Sequence, residues 1–491
     1  MTVGRTSETA PDQMETSDSG TSMPSHMRLV IGLLLISSFV VILNETIMSV
    51  AIPELMVELA ITATAAQWLT TGFLLTMTVV IPMTGVVLQR FTTRTVFTTA
   101  MSAFTLGTLL AAVAPGFPLI LAGRMVQACG TALVFPLLVT TVLTAVPAAR
   151  RGRAMGLIAI VIAVAPAVGP TFAGLVLTVL PWRGLFLSVL PIAVLSLILG
   201  LLFVKNVGQT SPVRFDGLSI ILSALSFGGL IYGLSSLGEG GHAVIPPPVP
   251  LVVGGGCMVA FVIRQRALQR RNTALLDMRP FGQRSFAAGA AVLVICMAVL
   301  FGNLILLPIY LQNIRGLTVL QAGLILLPGG LVMGLVAPLV GRLFDRFGPR
   351  PLAVPGTALV AVSLGLMSLY DETVSAGVVV SVHIALSIGV GLVLTPTMTS
   401  ALGCLEPSLY SHGSAIVNTL QQFAGAAGTA LFVTVMSSVA AAGIASETGG
   451  AAAELAGIRI AFVCGSCVAM AAVIVACFLT KPAHSGPAPV H

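Results

Sequence analysis

Three ionisable residues lie inside long apolar stretches of this sequence, where a charge is costly and usually functional. Glu45 is the one carboxylate that we find well inside such a stretch, Arg124 is the one cation, and His383 lies in the middle of a third. A buried carboxylate or an imidazole can exchange protons, and a nearby cation can govern that exchange. No Walker loop or catalytic constellation accompanies them, so we expect neither enzymatic chemistry nor direct use of ATP.

Each of these residues also has a plainer interpretation. Glu45 lies about two-thirds of the way across its stretch, so it is either a proton or cation site or an acid in the outer headgroup region. Arg124 either takes part in proton coupling or only pairs structurally, and Gln127, one helical turn further on, is a candidate partner. His383 is either a second proton site or a hydrogen-bonding residue in helix packing.

The apolar stretches that carry these residues are long enough to cross a membrane. Of the 491 residues, 56% are hydrophobic and 8% are charged. The runs span roughly 18 to 25 residues, the length of a helix that crosses ~30 Å of hydrocarbon. Because backbone exposed to lipid must satisfy its own hydrogen bonds, runs of this length favour helices over a barrel. We therefore predict an all-α integral membrane protein with fourteen transmembrane helices. They are expected to start near positions 29, 64, 96, 118, 154, 184, 216, 246, 286, 320, 351, 374, 412 and 458.

The positive charges are distributed unevenly between the two faces of the predicted membrane domain. With a cytoplasmic N-terminus, nineteen of the 23 Lys and Arg lie in the tails or loops of that same face. This asymmetry predicts cytoplasmic termini in a bacterial inner membrane. The net charge of +7 is spread over short loops, which favours anionic lipid headgroups as partners and argues against nucleic acid. Cys464 and Cys467 lack His or acidic neighbours in the last stretch, so we predict helix packing rather than a metal site.

An internal repeat is visible in the sequence. The loop after the second stretch and the loop after the tenth share a Gly and two Arg at equal offsets, 256 residues apart. The first copy comprises Gly85, Gln89, Arg90 and Arg94, and the second comprises Gly341, Asp345, Arg346, Gly348 and Arg350. Gly at a helix end allows close approach of the next helix, and the cations can meet an acid or a helix C-terminus, which predicts a conformational role.

The repeat predicts two six-helix units with an insert between them, a plan typical of transporters. We expect a disordered cytoplasmic tail at 1–27, an N-terminal bundle at 28–210, and two inserted helices with a basic linker at 211–285. A C-terminal bundle follows at 286–480, and a second tail at 481–491. In the fifth stretch, Gly169, Pro170 and Gly174 combine a helix-kinking residue with small residues that admit a neighbouring helix.

These motifs resemble those of the major facilitator superfamily. Residues 341–350 resemble its GxLxDRxGxR signature, and residues 121–130 resemble the fourth-helix motif that is linked to proton coupling. Residues 165–174 resemble the gxxxGPxxGG motif of proton-exchanging exporters, and residues 43–53 resemble the LDxTIVNVALP stretch of fourteen-span drug:proton antiporters.

The sequence departs from these patterns at several positions. Gln89 and Thr92 replace an Asp and a Gly of the signature in the first copy, which predicts a weaker cytoplasmic contact there. Asn44 stands where the antiporters have Asp, and an acid follows one place later as Glu45. One residue is ~100° around a helix, so Glu45 cannot occupy the identical position.

The resemblance implies two six-helix bundles plus two inserted helices, and a monomeric proton-coupled exporter of small amphipathic or lipophilic compounds that works by alternating access. It implies no cofactor besides the proton gradient. A dedicated exporter of one endogenous metabolite or antibiotic shares every motif, and a non-transporting scaffold or sensor is a third interpretation. The candidate substrate-binding residues are Asn44, Gln127, Asn303, Tyr310, Asn418 and Gln421.

Overall fold

A computed structural model describes residues 25–146, 148–206, 216–237, 245–270, 274–406, 409–445 and 450–480. Every regular element in these ranges is helical. The α-helices are α1 (Ser25–Glu58), α2 (Ala63–Arg90), α3 (Thr93–Ala112), α4 (Phe117–Ala145), α5 (Ala148–Leu177), α6 (Arg183–Phe203), α7 (Gly217–Ser236), α8 (Pro248–Gln269), α9 (Arg284–Ile309), α10 (Val319–Phe347), α11 (Arg350–Met367), α12 (Ala376–Gly403), α13 (Tyr410–Ala445) and α14 (Gly450–Ala476).

The length and composition of these helices confirm a membrane protein of about fourteen spans. Thirteen candidate spans are found among the described residues, and α5 contributes a shorter apolar stretch at Val164–Leu177. A 3₁₀-helix at Arg279–Gly282 precedes α9, and a π-helix at Tyr310–Ile314 follows it. Most of both predicted tails, residues 1–24 and 481–491, lies outside the described residues.

Two large clusters of buried apolar side chains lie in different parts of the chain. The first lies between Val30 and Val204, around α1 to α6, and includes Phe104. The second lies between Val299 and Ala469, around α9 to α14. The structure thus packs the helices before and after the insert around separate cores, while the exact bundle boundaries stay a prediction.

The two sets of helices touch directly where α5 ends and α10 begins. A Cβ atom added to Gly174 would lie 2.7 Å from Leu320 Cα, and one added to Gly323 would lie 2.8 Å from the Pro170 carbonyl oxygen. Thr171 Oγ1 also donates a hydrogen bond to the Gly323 carbonyl at 3.0 Å. Because any side chain would hold the backbones apart, this contact requires glycine at both positions.

The inserted helices α7 and α8 form a closely packed hairpin. A Cβ atom added to Gly229 would lie 2.9 Å from Gly254 Cα, so the two helix backbones are in contact. The opposite face of α8 is exposed, with Val259 60% and Ile263 62% accessible. This exposed apolar face is the one expected to meet lipid.

The α7 helix contacts both halves of the molecule. The rings of Tyr232 and Trp68 of α2 have centroids 5.6 Å apart, and those of Phe227 and Phe423 of α13 have centroids 5.5 Å apart. On the α13 side, Thr434 Oγ1 also donates to the Leu234 carbonyl at 3.4 Å. The hairpin therefore covers the place where α2 and α13 pack together.

The linker after α8 is held by side-chain hydrogen bonds. Gln265 Nε2 donates to Ser219 Oγ at 2.7 Å, and its Oε1 accepts from the Leu276 amide at 3.1 Å. The Asp277 amide donates to His412 Nδ1 at 3.4 Å. The linker thus connects the hairpin to the first turn of α13.

Candidate functional site

Arg124 lies fully buried in α4 and is surrounded by neutral acceptors. Its Nε donates to the Leu69 carbonyl at 3.3 Å. Its Nη1 donates to the Asn44 carbonyl at 3.3 Å, to Asn44 Oδ1 at 3.4 Å and to Gln127 Oε1 at 3.2 Å. The guanidinium carbon also lies 4.1 Å from the centre of the Phe73 ring, a cation–π contact. A single cation therefore connects α1, α2 and α4.

Glu45 is buried next to this network without being part of it. Its side chain is 9% exposed, and Oε1 has no hydrogen-bond partner among the described residues. Glu45 and Arg124 attract each other electrostatically, yet the ion pairs within 4 Å in the described ranges do not include them. Because Coulomb energy at low dielectric varies steeply with distance, small shifts of α1 against α4 change the energy of this carboxylate.

Asn44, at the position where the resembling antiporters have Asp, contacts Arg124 through a neutral amide. Asn44 Oδ1 takes the acceptor role toward Arg124, while its Nδ2 is buried without a partner in the described structure. Arg124 Nη2 is likewise buried without one. The buried acid of α1 is the next residue, Glu45, so a negative charge lies near Arg124 while the direct contact is made by the neutral amide of Asn44.

The glycine of the fifth helix lies directly against this part of α1. A Cβ atom on Gly169 would lie 2.1 Å from Thr46 Oγ1 and 3.5 Å from the Leu43 carbonyl oxygen. Thr46 Oγ1 itself donates to that carbonyl at 3.0 Å. The position of the backbone on both sides of Asn44 and Glu45 thus depends on the absence of a side chain at residue 169.

His383 lies in the other half of the molecule, on α12. It is 6% exposed, and its Nδ1 has no hydrogen-bond partner in the part of the chain that the structure describes. A Cβ atom on Gly329 of α10 would lie 2.4 Å from His383 Cδ2, so the imidazole occupies the space left by that glycine. None of the hydrogen bonds of Arg124 reaches it, and its role in proton coupling stays a prediction.

The remaining polar candidates differ in their surroundings. Asn303 is fully buried, and neither side-chain amide atom has a partner among the described residues. Tyr310 is buried and donates its hydroxyl to the Asp371 carbonyl at 2.6 Å, so this group already has a structural partner. Asn418 and Gln421 are half-buried on α13. Their contacts with a substrate stay predictions.

The cations and glycines of the repeated loops differ in their contacts. Arg94 Nη2 donates to the Leu201 carbonyl at 2.6 Å, in the last turn of α6, as expected for a cation at a helix C-terminus. A Cβ atom on Gly85 or Gly341 would meet no described atom within 4 Å. Within the described part of the chain, no neighbouring helix therefore packs against these Cβ positions in this conformation, and the conformational role of the two glycines stays a prediction.

The other members of the repeated loops lie mainly at the surface. The side chains of Gln89, Arg90, Arg346 and Arg350 are exposed, and the Arg346 guanidinium lies 5.1 Å from the centre of the Phe347 ring. Asp345 belongs to α10, but its side chain lies outside the described part of the chain. The contacts expected of that carboxylate stay predictions.

The structure explains why the two copies differ at their second glycine position. Gly348 has φ of +81°, in the region where side chains are strained, and it ends α10. Thr92 has φ of −70° and caps α3 by accepting a hydrogen bond from the Thr95 amide at 3.3 Å. The first copy thus uses this position as an N-cap, for which threonine is well suited.

The sequence identified Gln127 as a partner of Arg124 from helical spacing alone, and it missed the partners on other helices. Leu69 contributes a backbone carbonyl and Phe73 an apolar ring, so neither carries a recognisable polar signal. The one available signal is their spacing on α2, since residues four apart share a helix face.

The described helices are those of a multi-span membrane protein, and comparisons with known proteins identify its family. The family model of the Major Facilitator Superfamily matches residues 34–429. The chain is 39% identical to an uncharacterised MFS-type transporter, YcnB of Bacillus subtilis, over 94% of this chain and 96% of that one. It is 40% identical to the Lincomycin resistance protein LmrB of Listeria monocytogenes, over 92% and 96%. A Multidrug resistance protein B homolog of Mycobacterium tuberculosis is 29% identical over 82% and 75%. The chain belongs to the Major Facilitator Superfamily, a class of transporters.

Proposed function

We propose that this chain is a proton-coupled exporter of amphipathic drugs in a bacterial cell membrane. The observation that carries the proposal is the buried pair of opposite charges, Glu45 and Arg124, in which the cation is held by neutral acceptors and the acid has no direct ion pair among the described residues. Relatives named for lincomycin and multidrug resistance support drugs as the substrate class. Lincomycin is therefore the first compound to test.

The proposed mechanism is alternating access of two helix bundles. With both termini cytoplasmic, the contact of Gly174 and Gly323 with the opposite bundle lies near the outer surface, so this conformation is closed toward the outside. Protonation of Glu45 removes its attraction to Arg124 and lets α1 shift against α4. Opening to the outside then requires the α5–α10 contact to separate.

Lipid headgroups are the proposed partners of the exposed end of the hairpin. Arg266 and Arg270 are exposed and continue the stripe of α8 that carries Val259 and Ile263. Exposed cations at the end of a membrane-spanning helix attract the headgroups of anionic phospholipids. Mass spectrometry of the purified monomer should show retained anionic lipid that is lost in R266Q/R270Q, and equal retention would refute this partner.

The experiment that tests the proposed function is efflux from energised cells, with ethidium and lincomycin as probes. The wild type is expected to export at least one of them, a protonophore should stop export, and Glu45→Gln should abolish it. Glu54→Gln provides the matched control, because Glu54 lies on the same helix beyond the span of Met27–Met48. It should export normally.

The outcomes separate the alternatives. Normal export by Glu45→Gln would show that Glu45 is not the proton carrier. Export that persists with the protonophore would refute proton coupling. Export of lincomycin without ethidium would favour a narrow exporter, and no export of either would refute drug efflux for these probes and leave the single-metabolite exporter as the better hypothesis.

A further inference from the structure

We infer that Thr108 of α3 is a positioning residue for Arg124 and acts through the side-chain amide of Gln127. The inference rests on the proposed function, since it assigns a role within the same buried site. Thr108, Gln127 and Arg124 are all fully buried. Thr108 belongs to none of the sequence motifs discussed above.

The hydrogen bonds between these residues run in one direction. Thr108 Oγ1 donates to the Phe104 carbonyl at 2.7 Å, which commits its only proton. The hydroxyl can therefore only accept from Gln127, and Gln127 Nε2 lies 2.8 Å away. With its amine end held there, Gln127 presents Oε1 to Arg124 Nη1 at 3.2 Å. Thr108 and the guanidinium, which has donors only, thereby hold the Gln127 amide in one orientation from its two ends.

The packing of α3 on α4 brings these groups together. A Cβ atom on Gly107 would lie 2.5 Å from the Gln127 amide nitrogen, and one on Gly123 would lie 2.9 Å from the Ala111 amide nitrogen. The two glycines thus place the helix backbones in contact on either side of Thr108. Because the two backbones are in contact, the Thr108 hydroxyl is held at a constant position relative to Gln127. It thereby also positions the Gln127 oxygen that accepts from Arg124.

The removal of the hydroxyl should release the Gln127 amide. Without its acceptor, Nε2 becomes a buried donor with no partner, and the side chain can turn away from the guanidinium to reach another acceptor. Arg124 would then lose one of its neutral acceptors and move toward Glu45, the charged group of α1 that attracts it. The neighbouring contacts from α2, the Leu69 carbonyl and the Phe73 ring, do not titrate.

The test is the pH dependence of dye efflux from inside-out vesicles. Thr108→Val should shift the midpoint of the pH profile by about 0.7 unit, the equivalent of one net hydrogen bond. The shift should be toward lower pH, because the ionised Glu45 gains a direct partner. Thr108→Ser keeps the hydroxyl and should restore the wild-type profile.

Thr131→Val is the matched control. Thr131 is a buried threonine on α4 whose hydroxyl donates to the backbone carbonyl of Gln127 at 3.0 Å and not to its side chain. Its removal should leave the midpoint unchanged.

A wild-type midpoint in Thr108→Val, or an equal shift in Thr131→Val, would overturn the inference. A wild-type efflux rate that is the same with and without a proton gradient would instead overturn the proposed function. The two failures are thus distinct.

Discussion

Substitution of Gly169 by alanine is expected to disturb the proposed proton site at Glu45 through the backbone of α1. The added methyl group would lie 2.1 Å from Thr46 Oγ1, whereas real Cβ atoms essentially never lie within 3.0 Å of another heavy atom. About 0.9 Å must therefore be gained by movement of α1 or by rotation of Thr46. Rotation of the Thr46 side chain moves Oγ1 but not Cβ, so the new methyl group would still lie 3.1 Å from Thr46 Cβ, a tight contact.

The free-energy terms can be compared. Overpacking typically costs about 1–3 kcal/mol, and loss of the Thr46 to Leu43 hydrogen bond costs about 1 kcal/mol. Replacement of a helical glycine by alanine stabilises the fold by roughly 0.5–1 kcal/mol, because alanine loses less conformational entropy on folding. Together these terms give an expected net loss of about 1–3.5 kcal/mol in the free energy of unfolding. Because Thr46 follows Glu45 directly, we also expect about a tenfold or greater loss of coupled efflux.

Two assays check this prediction. Thermal unfolding in detergent can be followed by the fluorescence of the buried Trp182, and dye efflux can be measured in vesicles. Gly32→Ala on α1, the helix that Gly169 contacts, is the control, because its Cβ would meet no described atom within 4 Å. The double variant T46A/G169A removes the closest contact and should regain part of both losses. A Gly169→Ala protein with wild-type stability and efflux would show that this contact does not position α1, and so would a double variant no better than the single one.

Two further predictions concern the inserted hairpin. In a background without cysteines, a reversible bifunctional thiol reagent should preserve efflux when it bridges F227C and F423C, because α7 also bonds to α13 through Thr434. A bridge between W68C and Y232C should stop efflux until it is reduced, and the opposite pattern would show that the hairpin moves with α2. At the start of α7, hydrogen bonds from Arg264 at 2.9 and 2.7 Å hold the pKa of Asp216 below its usual value. Its contribution to stability, about 1 kcal/mol or less for this partly exposed pair, is therefore present at neutral pH and lost below about pH 4. Asp216→Asn should lower the unfolding temperature at pH 7 and flatten its acid dependence, and an unchanged melting profile would contradict this.

Apolar run length was sufficient to predict the helices, because a helix must cross a fixed thickness of hydrocarbon. Most starts agree within a few residues, and α14 is a clear exception. It begins at Gly450, eight residues before the predicted start at 458, because its first two turns are rich in alanine and form helix without high hydropathy.

The site was predictable only where its contacts are local in sequence. Gln127 was recognisable as a partner of Arg124 because the two residues are one turn apart on α4. Leu69, Phe73 and Thr108 were not, because their contacts with this network depend on how α2 and α3 pack against α4. Likewise, Thr92 departs from the motif in the sequence, and only the structure shows that it is the N-cap of α3.

In the proposed mechanism, export exchanges a substrate for a proton bound at Glu45. The most direct test is proton movement in proteoliposomes that enclose a pH-sensitive dye, with an exported drug added on one side. We expect a drug gradient to drive opposite proton movement in the wild type and in Glu54→Gln, and none in Glu45→Gln. Drug transport by the wild type without proton movement, or equal proton movement in Glu45→Gln, would contradict this mechanism.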